Sequence, residues 1–350
     1  LMNLCIARFT KFKYVFLTGH HSLFMACLMS AVLGTAGLSG MELILVGGFL
    51  MGAWSAISPA IGQSYTSKVT DGDEIAIGHF GSLGYYLSAW VAKYVGKADD
   101  STEDIEIPEK WGFLRDSTLS TALTMIVFYL IAAFAAGSEF VATLSGDMSP
   151  YLYAVMSAMN FAVGVTIVYS GVRMILGDLI PAFQGIATKI IPNAIPAVDC
   201  AVFFTYAPTA VVLGFISSFI GGIIGMLILG AVGGVLIIPG LVPHFFCGAT
   251  AGIYGNATGG RRGAAVGAFL NGLAITFLPA LALPVLGQLG FQNTTFGDAD
   301  FAVMGLVLGN AYEWVGMAGI YGIVAIAALV LIIPNFIKTK GKVINYVEED

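Results

Sequence analysis

Apolar runs of about twenty residues recur down the chain, separated by short polar or glycine-rich stretches. A helical run of that length spans the hydrocarbon core of a bilayer. The runs predict eight spans, over roughly residues 14–34, 41–63, 118–137, 151–172, 203–230, 233–256, 263–289 and 314–336. The predicted fold class is all-α: a polytopic helix bundle set in a lipid bilayer.

Two stretches break the pattern. Residues 64–117 form a long polar connection, and its second half, GKADDSTEDIEIPEKWGFLRDS, is acidic and carries a proline, which predicts a solvated loop. Before that loop, GSLGYYLSAWVAKYVGK places Leu83, Tyr86, Leu87, Trp90, Val91 and Tyr94 at helical spacing. An amphipathic helix follows from this. It lies either at the membrane surface, with Tyr and Trp among the headgroups, or against the protein's own cytoplasmic face. The second misfit is 178–202, interrupted by Pro181, Pro192 and Pro196 and charged by Asp178, Lys189 and Asp199. Three prolines forbid one continuous helix there. Broken backbone at membrane depth survives only where it lines a cavity or is buried in protein. Three parts result. Residues 1–63 are membrane helices that begin the core. Residues 64–117 are a cytoplasmic segment with a re-entrant hairpin, the amphipathic helix and the acidic loop. Residues 118–350 are membrane helices with re-entrant segments near 178–202 and 236–250.

Charge orients this scheme. With eight crossings, every loop that carries Lys or Arg falls on one side, while the connections 35–40, 138–150 and 290–300 carry neither. Basic loops stay in the cytoplasm, so both ends are expected there. Composition agrees with a membrane chain: 57% of residues are hydrophobic and only 10% charged, against about 25% in soluble domains. The 45 glycines suit close helix approach and helix breaks. No basic cluster suggests a nucleic-acid partner. Cys5, Cys27, Cys200 and Cys247 are scattered without metal spacing, so neither a metal site nor a cofactor is expected.

Polar groups in such a chain are functional candidates. Four places stand out: LTGHHSLF with His20 and His21, DGDEIAIGHF with His79, PNAIPAVDCAVFFTYAP with Asp199, and IIPGLVPHFFCGATAGIYGNATGG with His244. The first two share the form apolar-x-Gly-His, and Gly78 can let the backbone turn so that His79 points into a cavity. Each histidine alone is most simply an interhelical hydrogen bond. Together the four interruptions point to an inverted-repeat transporter with its site at the repeat interface. A carboxylate beside an apolar helix, Asp199, needs a partner such as Lys189 or a role in the site. A proton-coupled secondary transporter of an organic acid or polyol, relaying through His20, His79 and Asp199, fits the same residues. So does a membrane scaffold that transports nothing.

The segments TGHHSLFMAC, VTDGDEIAIGHFGSLGYYLSAWVAKYVGK, IPAVDCAVFFTYAPTAVVLGF and LIIPGLVPHFF resemble, in order, the membrane permease (enzyme IIC) of the L-ascorbate phosphoenolpyruvate-dependent phosphotransferase system, of the ascorbate/galactitol type. The resemblance runs over essentially the whole chain. It implies a homodimer that takes up L-ascorbate or a related sugar acid or polyol, phosphorylated on arrival by a cytoplasmic enzyme IIB through a phosphocysteine. His20 matches the histidine of the family's TGH motif, His79 that of IGH, and Asp199 the aspartate of PAxDCA. The resemblance implies that these bind substrate and that Asp199 also orients or deprotonates the accepting hydroxyl, a catalytic role. His21 and Phe80 complete the expected substrate-binding set. Phe80 stands where the family has glutamine, and HSLFMA lacks a second glutamine, so the cavity's hydrogen bonding and its substrate are expected to differ. The family's earlier membrane helices have no counterpart here, so the sequence is expected to be N-terminally incomplete.

Overall fold

The computed structural model describes residues 1–106, 110, 116–287 and 296–336. Among these, six helices are long and apolar enough to cross a membrane, and the chain is an all-α polytopic membrane protein. The chain opens with α1 (Met2–Phe9), β1 (Tyr14–Phe16), α2 (Gly19–Thr35), α3 (Gly40–Thr70), β2 (Ala76–Ile77) and α4 (Ser82–Val95). Next come α5 (Ser117–Ala136), α6 (Ser138–Ser145), α7 (Pro150–Lys189), β3 (Ile195–Val198) and α8 (Cys200–Phe203). The last are α9 (Pro208–Ala231), α10 (Leu241–Gly287), α11 (Ala299–Val315) and α12 (Met317–Ile332).

The centre is α9 and α4 packed on α10. Gly214 of α9 and Gly252 of α10 meet so closely that a Cβ on Gly214 would lie 2.8 Å from the Gly252 Cα. Small residues bring the two backbones together where apolar bulk would hold them apart. Helix α4 is held inside the protein. Tyr85, Ser88, Ala89 and Ala92 are buried, and the Ser88 hydroxyl donates to the Ala251 carbonyl at 2.6 Å. Trp90 and Tyr94 are the exposed flank. The packed face is formed by Tyr85 and Tyr86 together with the small residues Ser88, Ala89 and Ala92.

Several predicted elements differ. The run 14–34 is a strand followed by a helix of 17 residues, because Tyr14–Phe16 pairs with β3 before Gly19 begins α2. Helix α7 passes through Pro181 and ends at Lys189. The chain breaks beyond it, where Asn193 takes φ 59°. One proline removes one helical hydrogen bond, which packing can bear. Residues 241–256 and 263–287 of the two predicted runs are arms of one element, α10, separated at Gly259 and Gly260, the latter at φ 61°. Helix α11 went unpredicted, since Gly305, Asn310 and Glu313 dilute its hydropathy. Gly316, at φ 62°, divides it from α12.

The acidic stretch after α4 is held down over its described part. Thr102 is buried and its N–H donates to Asn256 at 2.8 Å. The Glu103 carboxylate accepts from Thr209 and Ala210 N–H at 3.1 Å each, capping the N-terminus of α9, and Arg261 pairs with Asp100 at 3.3 Å. Unsatisfied amides at a helix N-terminus and the helix dipole both favour a carboxylate there. Residues 107–109 and 111–115 of that loop, and Lys338, Lys340 and Lys342, lie outside the described residues.

Candidate functional site

Three short strands assemble the site. They are parallel, in the order β1–β3–β2, with Tyr14, Val15 and Phe16 opposite Ile195, Pro196 and Ala197, and Ala76 and Ile77 opposite Ala197 and Val198. Parallel strands bring their carboxyl ends to one edge, and ligand sites in parallel sheets sit at that edge. Each strand here ends just before a candidate: β1 before Thr18-Gly19-His20-His21, β2 before Gly78-His79, β3 before Asp199. The segments are far apart in sequence, and the sheet makes them neighbours.

The pairing explains the residues around it. Gly78 N–H donates to Val198 O at 2.7 Å, Leu17 N–H to Ala197 O at 2.9 Å, and the Thr18 hydroxyl to Gly78 O. A Cβ on Gly78 would run into the carbonyl of Ala197. Glycine is needed at 78 for close strand approach, and its φ is not positive, so the expected backbone turn is not the reason. Pro196 sits in the central strand at little cost: its nitrogen faces the β2 side, and β2 pairing starts only at Ala197.

At this edge lies a cavity of about 690 Å³, lined by His20, His21, His79, Asp199, Asp298 and Phe301 among others. His20 Nε2 is 3.6 Å from Asp199 Oδ2, and His79 Nε2 is 3.9 Å from Asp199 Oδ1. His21 Nε2 is 3.6 Å from Asp298 Oδ2, and the His21 and His79 ring centroids are 3.8 Å apart. The expected set is brought together except for Phe80. That ring is fully buried outside the cavity lining, stacked on Phe16 at 4.6 Å and edge-on to Phe301 at 5.7 Å. His244 also lies elsewhere: it bonds Ser218 at 2.9 Å and lines a smaller cavity of about 170 Å³.

A family model described as "PTS system sugar-specific permease component" matches residues 1–300. The chain belongs to this permease family. A relative described as "Ascorbate-specific PTS system EIIC component", from Mycoplasma pneumoniae, is 27% identical over 294 residues. The match covers 72% of this permease chain and 44% of that relative, so the chain spans under half the relative's length.

The permease's GHFG turn does more than carry His79. The Phe80 amide donates to His21 Nδ1 at 3.2 Å, and the Gly81 amide to His79 Nδ1 at 3.1 Å. A backbone N–H can only donate, so both Nδ1 atoms are unprotonated acceptors and each neutral ring carries its hydrogen on Nε2. The Tyr85 hydroxyl also lies 2.8 Å from His79 Nδ1, and in this tautomer it is the donor. Burial, with the neighbouring histidines, also holds the His79 imidazole well below its ordinary range. Two consecutive amides thereby aim two Nε2–H donors at carboxylates. His21, His79 and Asp298 are close enough to surround a cation. They could do so only if both rings gave up the Nε2 hydrogen that these amides favour.

The sequence reading missed two further participants. Asp298 receives the Cys247 thiol at 2.9 Å, and burial pushes its carboxyl up to about 6. Asp300 is wholly buried, with its carboxyl pushed up by burial to about 7. It accepts from Trp54 Nε1 at 3.1 Å, Ser82 Oγ at 2.8 Å and Leu83 N–H at 3.0 Å, and its own N–H donates to Phe80 O at 2.9 Å. It braces the GHFG turn against the start of α4. The signal available was GDAD at 297–300, two acids before an apolar run, set in a stretch read as a loop.

Proposed function

We propose that this chain forms the substrate-translocating core of a phosphotransferase-system permease that takes up L-ascorbate, or a related sugar acid or polyol, with phosphorylation on arrival. Three parallel strand ends placing His20, His79 and Asp199 on one cavity carry this reading. His20 and His79 hold the substrate hydroxyls by Nε2–H, and Asp199 accepts a hydroxyl proton. Cytoplasmic enzyme IIB supplies a phosphocysteine. The substrate hydroxyl oxygen attacks phosphorus, the sulfur–phosphorus bond breaks, and the hydroxyl proton passes to Asp199. Such transfer asks mainly for positioning and a proton acceptor. Asp71, Asp73 and Glu74, all exposed on the turn before β2, mark the cytoplasmic rim, where they repel a phosphorylated product. The protein works as a homodimer in the bacterial inner membrane, with both ends of this chain in the cytoplasm.

The histidines and aspartates also favour a second reading as a proton relay, in a transporter driven by a proton gradient. Vesicles given labelled L-ascorbate separate the two. Phosphorylated product that depends on IIB supports the permease; unmodified ascorbate driven by a proton gradient without IIB refutes it. Asp199→Asn is expected to slow phosphorylation about 10²- to 10⁴-fold, the usual worth of a general base, while weakening binding far less.

A further inference from the structure

The cavity holds a carboxylate that the transfer step does not use. Asp298 precedes α11 and lines the same chamber as Asp199. None of the described residues lining that chamber is Lys or Arg. The imidazoles of His21 and His79 do not supply a fixed positive charge either, since amides donate into Nδ1 of both. L-Ascorbate is an anion at neutral pH, so a sugar-acid anion entering here meets two carboxylates and no permanent cation. Like charges at such range repel strongly in a poorly solvated site, unless one carboxylate is neutralised.

Resting on the permease reading, we propose that Asp298 is a second substrate-facing carboxylate, and that it takes up one proton whenever an anionic substrate binds. The protonated carboxyl then donates its O–H to the anion, turning a repulsion into a hydrogen bond. Asp298 suits this better than Asp199. Two imidazoles, His20 and His79, face Asp199, which is 32% exposed. Asp298 is 15% exposed and has one imidazole, His21 from α2, and a weak donor, the Cys247 thiol from α10. The other titratable groups around it are His20 on α2, His79 and Tyr85 from the GHFG turn and α4, Asp199 and Cys200 at the end of β3, and Asp300 on α11. Burial, the largest influence on Asp298, already favours its neutral form, with the Cys247 bond working the other way.

Proton uptake on binding makes affinity highest at low pH. Affinity is lost as pH rises through the pKa of the free site, by about tenfold per unit for one proton. The test is equilibrium binding of L-ascorbate to the full-length protein in lipid nanodiscs, from about pH 5.5 to about pH 8.5. The wild type is expected to lose about tenfold in affinity per unit in the upper part of that range. Asp298→Asn is expected to bind with no slope, and more tightly than the wild type at the alkaline end. Cys247→Ser, whose hydroxyl donates more strongly to the ionised carboxylate, moves the fall to lower pH and serves if the asparagine variant does not fold. Binding of ascorbate with no pH dependence overturns the proposal, as does an unaltered slope in the folded variants, and either leaves the permease reading standing. Absence of ascorbate binding at every pH removes this substrate from the permease reading, and the proposal with it.

Discussion

Replacing Gly78 with alanine tests the architecture that gathers the site, and it does so without reference to any substrate. The added Cβ would run into the Ala197 carbonyl and lie 3.1 Å from Val198 N. These are backbone atoms of the central strand and cannot rotate away. Carbon contacts relax at about 3.5–4.0 Å, so Gly78 must retreat from β3 by about 1 Å. A retreat of that size breaks the 2.7 Å bond from Gly78 N–H to Val198 O and loosens the Thr18 bond to Gly78 O. Overpacking of this kind costs about 1–3 kcal/mol, and a lost buried hydrogen bond adds about 1 kcal/mol. Gly72→Ala, on the turn before β2, is the control: no atom lies within 4 Å of its would-be Cβ, and its φ is not positive. Thermal unfolding in detergent should show a clear fall in Tm for Gly78→Ala and essentially none for Gly72→Ala. Equal Tm values for the two variants would mean that the strands are not packed as described.

Asp300→Ala leaves the buried Ser82 hydroxyl and the part-buried Trp54 and Leu83 donors without their acceptor, at about 1–3 kcal/mol for a fully buried group left unpaired and less for the others. Lower Tm together with altered Trp54 fluorescence is expected, and an unchanged Tm would show that Asp300 does not brace the turn. His79→Ala removes an Nε2–H donor from the cavity and should weaken L-ascorbate binding about tenfold or more. Lys97→Ala, on the exposed surface, and His244→Ala, in the smaller cavity, should each stay within about twofold. Equal losses in all three variants would take His79 out of the site.

The residues of the site were readable mainly through cost. His20, His21, His79 and Asp199 stood out because polar groups are expensive in an apolar chain, and all four line one cavity. Phe80 drew attention only through the family resemblance, and its ring packs into the core behind the cavity. Its backbone carries the local influence instead, through the amide that sets the His21 tautomer. Asp298 and Asp300 escaped notice because their helix, diluted by glycine, asparagine and glutamate, carried too weak an apolar run to be seen.

Taken alone, the sequence determined the membrane class, the long apolar helices and the polar residues that need a purpose. These follow from composition and local periodicity, which each segment carries within itself. Tertiary structure alone decided that three strands of two to four residues pair in parallel, that Gly78 must lack a side chain, and which carboxylate each imidazole faces. Strands that short have no signal of their own. Their hydrogen bonds are made with partners as much as about 180 residues away in the chain, and only the folded bundle brings those partners within reach.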